Sequence, residues 1–317
     1  MSAQNPAART LNIDFMKWRG VAVIASLVLS LLAIISLGWH GLNFAVDFTG
    51  GTVIEAKYAD APDLNEIRSN LEEVGFTSPT VQNFGTTRDV LIRLAPLDKE
   101  SGEAGNALRE KVVEALNKDP ALKPEIHRME FVGPQVGDDL VEGSVIALIA
   151  SAFFIVLYVA WRFEYRFALG AILATLHDIT MILGFFSLLQ LDFDLTVFAA
   201  VLTIMGYSLN DTIVVFDRIR ENFRKIRRAD ALDVINISIN ETLGRTLMTS
   251  FLTFLTAVAM AIWGGDVLHN FGLALVVGIF VGTYSSIYVA TALAYKLGIS
   301  RADMLVPEKE GATDVSP

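Results

Sequence analysis

Gly206-Tyr207-Ser208-Leu209-Asn210-Asp211-Thr212 lies inside a stretch, residues 195–216, that is otherwise apolar enough to cross a membrane. A charge at membrane depth costs at least about 2.5–3.5 kcal/mol on insertion scales, so Asp211 needs a partner, a proton or a water-filled path. Five further stretches share that apolar character: residues 20–39, 141–161, 167–189, 246–263 and 271–295. Each is close to the ~20 residues that cover a ~30 Å hydrocarbon core. The 317-residue chain is 53% hydrophobic, with mean hydropathy +0.48, and its apolar residues fall in long blocks. The expected fold is a mainly α membrane protein of six spans with one polar insert, residues 40–139, between the first and second.

The first span follows a short N-terminal segment, residues 1–19, carrying Arg9, Lys17 and Arg19. It exceeds the roughly 7–15 residues of a signal-peptide core and ends in Gly38-Trp39-His40 rather than an A-x-A-like site, so it reads as an uncleaved anchor. Arg162 and Arg166 lie between spans two and three. Arg218, Arg220, Arg224, Lys225, Arg227 and Arg228 lie in a basic loop, residues 217–244, between spans four and five. The connections at 191–194 and 264–269 hold no Lys or Arg, which places both termini in the cytoplasm and residues 40–139 outside. The tail, residues 298–317, is expected to be disordered.

Within the insert, residues 51–58 read as a strand and residues 63–74 show helical spacing through Leu64, Ile67, Leu71 and Val74. Residues 80–84 and 90–94 alternate like a hairpin, a second helix spans 103–117, and a last strand runs through 126–132. The order βαββαβ predicts a ferredoxin-like split βαβ, α+β domain. It holds no catalytic constellation, and a lone histidine such as His127 is more often a surface residue than a ligand. The net charge of −10 and pI near 4.9 argue against a nucleic-acid partner. The chain has no cysteine. With no Walker-type G-x-x-x-x-G-K-[ST] either, neither a thiolate metal site nor NTPase chemistry is expected, and no cofactor.

Function is sought instead in the polar groups within the spans. Asp211 lies six positions before Asp217, in the inner half of span four, and Arg245 opens span five from the same side. The two occupy a similar layer, so protonation of Asp211 breaking an Asp211–Arg245 pair is one reading, and a static pair that fixes helix register is the other. Asn210 either orients the carboxylate or bonds a neighbouring helix. His177-Asp178 is a second polar pair, near mid-span on the third helix, whose side chains should point about 100° apart. Thr246, Thr249, Ser250 and Thr253 share one helical face, which either hydrates a proton path or packs closely. Gly278 and Gly282 form a G-x-x-x-G, read as a close helix contact with a partner half. Gly50-Gly51 after Asp47 reads as a tight hinge, and Asp217 to Arg228 as a basic, amphipathic cytoplasmic helix anchored on anionic lipid.

Several ordered motifs resemble the SecD/SecF export family, within the resistance-nodulation-division superfamily of transporters. Asn43-Phe44-Ala45-Val46-Asp47-Phe48-Thr49-Gly50-Gly51-Thr52 is similar to the family's "VDFTGGT" element. Gly206 through Asp211, Asp217 and Arg218 to Glu221 resembles its fourth-span signature, and residues 238–246 and 282–288 resemble two more. The likeness covers roughly residues 12–297, with Phe254 and Gly272 departing from the threonine and alanine usual there. The resemblance implies one half of a two-half machine, paired with SecD as a heterodimer. It also implies association with the Sec translocon SecYEG, with YajC and SecA, and with preprotein substrates, in the lipid of the bacterial inner membrane. It implies use of the proton gradient late in export and no enzyme activity. It assigns the proton pathway to Asp211 and Arg245, with Asn210, His177 and Asp178 as further polar groups. A small-molecule or lipid transporter half and a passive scaffold are the competing readings.

Overall fold

The computed structural model describes residues 13–76, 79–84, 86–95, 104–118, 124–226 and 228–300. Most of the tail expected to be disordered, from residue 301 on, lies outside them, as does most of the N-terminal segment. The chain forms two compact units, residues 44–147 and residues 1–43 with 148–317.

The smaller unit is built on a four-stranded antiparallel sheet. Its elements are β1 (Gly51–Lys57), α2 (Leu64–Glu73), β2 (Thr80–Phe84), β3 (Thr86–Leu94), α3 (Ala104–Leu116) and β4 (Glu125–Val132), following the first long helix α1 (Arg19–Trp39). The spatial order is β2-β3-β1-β4. Each βαβ crossover therefore skips one strand, which is the split βαβ arrangement expected from the sequence. On β1, Thr52, Ile54 and Ala56 are buried while Val53 and Glu55 are half-buried, the period-two alternation of a sheet covered on one face. That face meets Ile67 and Leu71 of α2 and Val112, Ala115 and Leu116 of α3 in one apolar core. Asp63 caps α2 by accepting from the Asn65 N–H at 2.8 Å. Tyr58 is buried beside this core, and burial pushes its hydroxyl up to about 12. The turn before β1 runs through Gly50 (φ 67°) and Gly51 (φ 122°), backbone that only glycine adopts without strain. A Cβ on Gly137 would lie 3.1 Å from the Gly50 N, so the turn is also a close backbone approach.

The larger unit is helical. After α1 it contains the C-terminal part of α4 (Pro134–Arg162), then α5 (Tyr165–Leu189), α6 (Leu195–Lys225), α7 (Ala231–Trp263) and α8 (Gly265–Ser285). The last helix continues through a π-turn, Ser286–Ala290, into α9 (Thr291–Lys296). Six of these helical stretches are long and apolar enough to cross a membrane. The basic connection 217–244, expected to begin with a helix over 217–228, is helical through Lys225 and again from Ala231. α6 runs 31 residues and α7 33, joined only by residues 226–230. At 1.5 Å per residue these helices outreach a ~30 Å core. The extensions hold because Ile219, Phe223, Val234, Ile235 and Ile239 bury a shared apolar seam. The Asn222 amide also donates to Ser238 at 3.0 Å and to Glu241 at 2.7 Å. Charged residues there define a solvated face, not a break in the helix.

The N-terminal strand of chain is clasped to α7. The Asn240 side chain accepts from the Ile13 N–H and donates to the Ile13 carbonyl, both at 2.8 Å, and Asn236 accepts from the Phe15 N–H at 2.8 Å. α1 packs on α5 at van der Waals limits, where the Ser36 and Ser187 hydroxyls meet at 2.9 Å. A Cβ on Gly184 would fall 2.2 Å from the Ala33 Cβ. Gly184→Ala is therefore expected to lower stability by about 1–3 kcal/mol through overpacking, read as an earlier thermal transition in detergent. Gly38→Ala, with nothing within 4 Å of the new atom, should leave the transition in place.

Candidate functional site: two carboxylates held by hydroxyls

Four helices bring small hydroxyl side chains to two buried carboxylates. α5 presents Asp178, 1% exposed, and α6 presents Ser208 and, one turn on, Asp211, 7% exposed. α7 contributes Thr246, and the last helix contributes Ser285 and Ser286, both 0% exposed. Asp211 Oδ1 accepts from the Thr246 hydroxyl and Oδ2 from the Ser286 hydroxyl, each at 2.7 Å. Asp178 Oδ2 accepts from Ser285 at 2.8 Å and from the Ser208 hydroxyl. Asp178 Oδ1 meets His177 Nδ1 at 2.9 Å, and the His177 Nε2 is buried with no partner among the described residues. The neighbours His177 and Asp178 thus meet each other, because the side chains bridge the 100° between their positions.

Glycine makes this packing possible. A Cβ on Gly278 would lie 2.2 Å from Ile204 Cδ1, and one on Gly282 would lie 3.0 Å from Ser208 Cβ. The G-x-x-x-G face expected to meet a partner half is therefore spent within the chain, bringing α8 against α6 so that Ser285 and Ser286 reach both carboxylates. Toward the N-terminal end of α8 the polar chain continues. Thr283 donates to the Ser250 Oγ at 2.8 Å, and the Tyr207 hydroxyl donates to the same oxygen at 3.3 Å. Thr249 and Thr253 bond back to their own helix instead, at 3.1 Å and 2.9 Å. The threonine–serine face of α7 is thus only half used for contacts between helices.

Two expected partners of Asp211 lie elsewhere. Asn210 is exposed, rotated off the Asp211 face by one residue step, and does not orient the carboxylate. Arg245 is exposed beside Thr246, outside ion-pair distance of Asp211, and acts on it only as a longer-range charge. Asp217 and Arg218 sit two turns further along α6 in ion pairs. Arg162 Nη2 lies 2.7 Å from Asp217, and Arg218 pairs with Glu221 at 2.6 Å and with Glu241 at 3.0 Å. Asp47, Gly50 and Gly51 lie in the turn that leads into β1 of the smaller unit. Of the hydroxyls that hold the carboxylates, Thr246 lies on the face read as a proton path or packing face, whereas Ser285 and Ser286 were read only with the close helix contact and not as partners of the acids. Ser285 and Ser286 stand one turn past a G-x-x-x-G and inside the motif at residues 282–288.

Six membrane-length helices carrying buried, hydroxyl-held carboxylates define a multi-pass membrane protein of transport type. The model for the protein export membrane protein SecD/SecF C-terminal region matches residues 112–300, and that for the SecD/SecF GG motif matches residues 35–61. The protein translocase subunit SecF of Vibrio alginolyticus is 49% identical over 95% of this chain and 95% of its own. That of Escherichia coli O157:H7 is 44% identical over 96% of this chain and 94% of its own. The crystal structure of SecDF, a translocon-associated membrane protein from Thermus thermophilus, superposes with TM-score 0.80 at 39% identity. It is matched over 92% of this chain, which spans 40% of the Thermus chain's length. The chain belongs to the SecD/SecF family of protein-export membrane proteins, in its SecF branch, a family of transport proteins and not of enzymes.

Because the Asp211 carboxylate relies on hydroxyls, Thr246→Val should cost about 1–3 kcal/mol for the lost hydrogen bond to a buried acceptor. Arg245→Gln, at an exposed position, should change stability by less than about 0.5 kcal/mol. Denaturation of the purified chain in detergent checks both.

Proposed function

We propose that this chain is the SecF-type half of a proton-driven export machine in the bacterial inner membrane, paired with a SecD-type half and serving the Sec translocon, SecYEG, with YajC and SecA as further associates. The observation that carries this reading is the solvation of Asp211 by neutral hydroxyls instead of a fixed ion pair, with Asp178 nearby held by two hydroxyls and a histidine. A static scaffold is best served by a permanent countercharge, whereas hydroxyls bond an ionised or a protonated carboxylate, because each can donate or accept. In this reading Asp211 carries the proton, Arg245 supplies longer-range countercharge, and His177-Asp178 is a second polar station. Both termini are cytoplasmic, residues 40–139 are exported, and the Asp217 to Arg228 segment lies on the cytoplasmic, lipid-facing side.

The partner half follows from the exposed face of α6. Ala199, Thr203, Gly206 and Asn210 recur at spacings of four, three and four along it, all exposed. Small and amide side chains exposed on a membrane helix favour close approach and hydrogen bonding by another helix. Asn210 thus serves a helix–helix contact here. The absence of cysteine makes single-cysteine crosslinking clean. Thr203→Cys and Asn210→Cys should each capture a SecD-like protein in native membranes, and failure at both positions would remove this face as the seam.

The mechanism is tested by preprotein translocation into membrane vesicles with and without a proton gradient. Wild type should gain from the gradient. Asp211→Asn should assemble normally and lose that gain, and Arg245→Leu should lose it with little change in stability. Full gradient-dependent gain by Asp211→Asn overturns the proposal. For orientation, a reporter fused after Phe131 should behave as external and one after Arg228 as cytoplasmic.

A further inference from the structure

Ser285 and Ser286 are consecutive residues, yet each holds a different carboxylate on a different helix. Each hydroxyl also has a second acceptor within reach on its own helix. Ser285 Oγ lies 3.2 Å from the Gly282 carbonyl, and Ser286 Oγ lies 3.0 Å from the Thr283 carbonyl. A serine hydroxyl has one hydrogen, so it can donate to the carboxylate or to its own backbone but not to both at full strength. By contrast, Thr246 Oγ1 makes its one hydrogen bond to Asp211. The helix leaves α geometry at this same point, with the π-turn beginning at Ser286. Single π-turns within α-helices occur frequently at functional sites, where the backbone ladder is already displaced by one residue.

We infer that Ser285 and Ser286 form a paired two-position switch that couples the protonation of Asp178 to that of Asp211 through the π-turn of the last helix. The inference rests on the proton-carrying reading above and assigns it two positioning residues. When Asp211 is ionised, Ser286 donates to Oδ2. When a proton from the path occupies that oxygen, the hydroxyl hydrogen swings to the Thr283 carbonyl and the carboxylic O–H can donate to the serine oxygen; no covalent bond other than the carboxyl O–H changes. Ser285 makes the same exchange between Asp178 and the Gly282 carbonyl. The two exchanges share adjacent peptides, so a shift of one serine displaces the next. Other titratable groups at this level are His177 on α5, Tyr207 on α6, Arg245 on α7, and Tyr284 and Tyr288 on the last helix. Of these titratable groups, among the described residues, only His177 touches either carboxylate.

The test is infrared difference spectroscopy of the full chain, co-purified with its accompanying half in native-lipid discs, titrated across pH. Asp178→Asn and Asp211→Asn assign the two carboxylic C=O bands. Coupling predicts that Ser285→Ala shifts the titration midpoint of the Asp211 band as well as that of Asp178, and that Ser286→Ala shifts both in turn. Ser285→Cys keeps the shape with a weaker donor and should give a smaller cross-shift; it replaces the alanine variant if that one does not assemble. If each substitution moves only the carboxylate it touches, the coupling is wrong while the proton-carrying reading stands. If the Asp211 band does not titrate in wild type at all, the proton-carrying reading fails first, and the coupling with it.

Discussion

Two carboxylates buried within membrane-length helices constrain the rest of the larger unit. Each carboxylate oxygen withdrawn from water must find a donor, since an unsatisfied polar group in hydrocarbon costs several kcal/mol. The chain answers with side chains small enough to let helices touch: Ser208, Thr246, Ser285 and Ser286. Their hydroxyls reach only because Gly278 and Gly282 remove the volume that would keep α8 off α6. The glycine pattern, the hydroxyl pattern and the two acids are therefore one design requirement and not three motifs. Substituting any one of them removes a partner on which another depends.

The distribution of charge separates two kinds of electrostatics along the same helices. At the C-terminal end of α6 and the N-terminal end of α7, Asp217, Arg218, Glu221 and Glu241 form partly exposed ion pairs with Arg162 and each other. Such pairs contribute modestly and are screened by salt. Deeper in, the acids meet hydroxyls and a histidine, without a lysine or arginine in contact among the described residues. The first arrangement fixes position. The second leaves the protonation state free to change without a compensating charge having to move.

The spans were legible because hydrocarbon thickness sets a minimum apolar length that shows directly as blocks of sequence. The split βαβ topology was legible because its strands and helices follow one another with clean two- and 3.6-residue periods. Helix ends were less so. The apolar stretches stop at Phe216 and resume at Thr246, and only the segment to Arg228 was read as helix between them, whereas α7 already begins at Ala231 and Asn222 bonds Ser238 and Glu241 across the two extensions. Asp211 and Asp178 were legible as costly groups, but their partners were not. Charge complementarity pointed to Arg245, and chain proximity to Asn210. Which helix faces which is decided by tertiary packing, and a single residue step of 100° separates the exposed Asn210 from the buried Asp211. Serines carry no periodic signal that distinguishes a ligand of a carboxylate from a packing contact.

The clasp between Asn240 and the Ile13 backbone ties residues 227 positions apart. At roughly 5–20 residues per second of synthesis, about 10–45 s separate the emergence of its two sides from the ribosome. During that interval the first helix must reside in the bilayer unaided, which its high apolarity permits. The segment leading into it stays unfastened until the start of α7, which carries Asn236 and Asn240, has been made. Closure of the clasp therefore reports synthesis as far as the start of α7, with one further membrane-length stretch still to follow: a chain stalled or truncated before α7 leaves the amides of Ile13 and Phe15 without their asparagine partners.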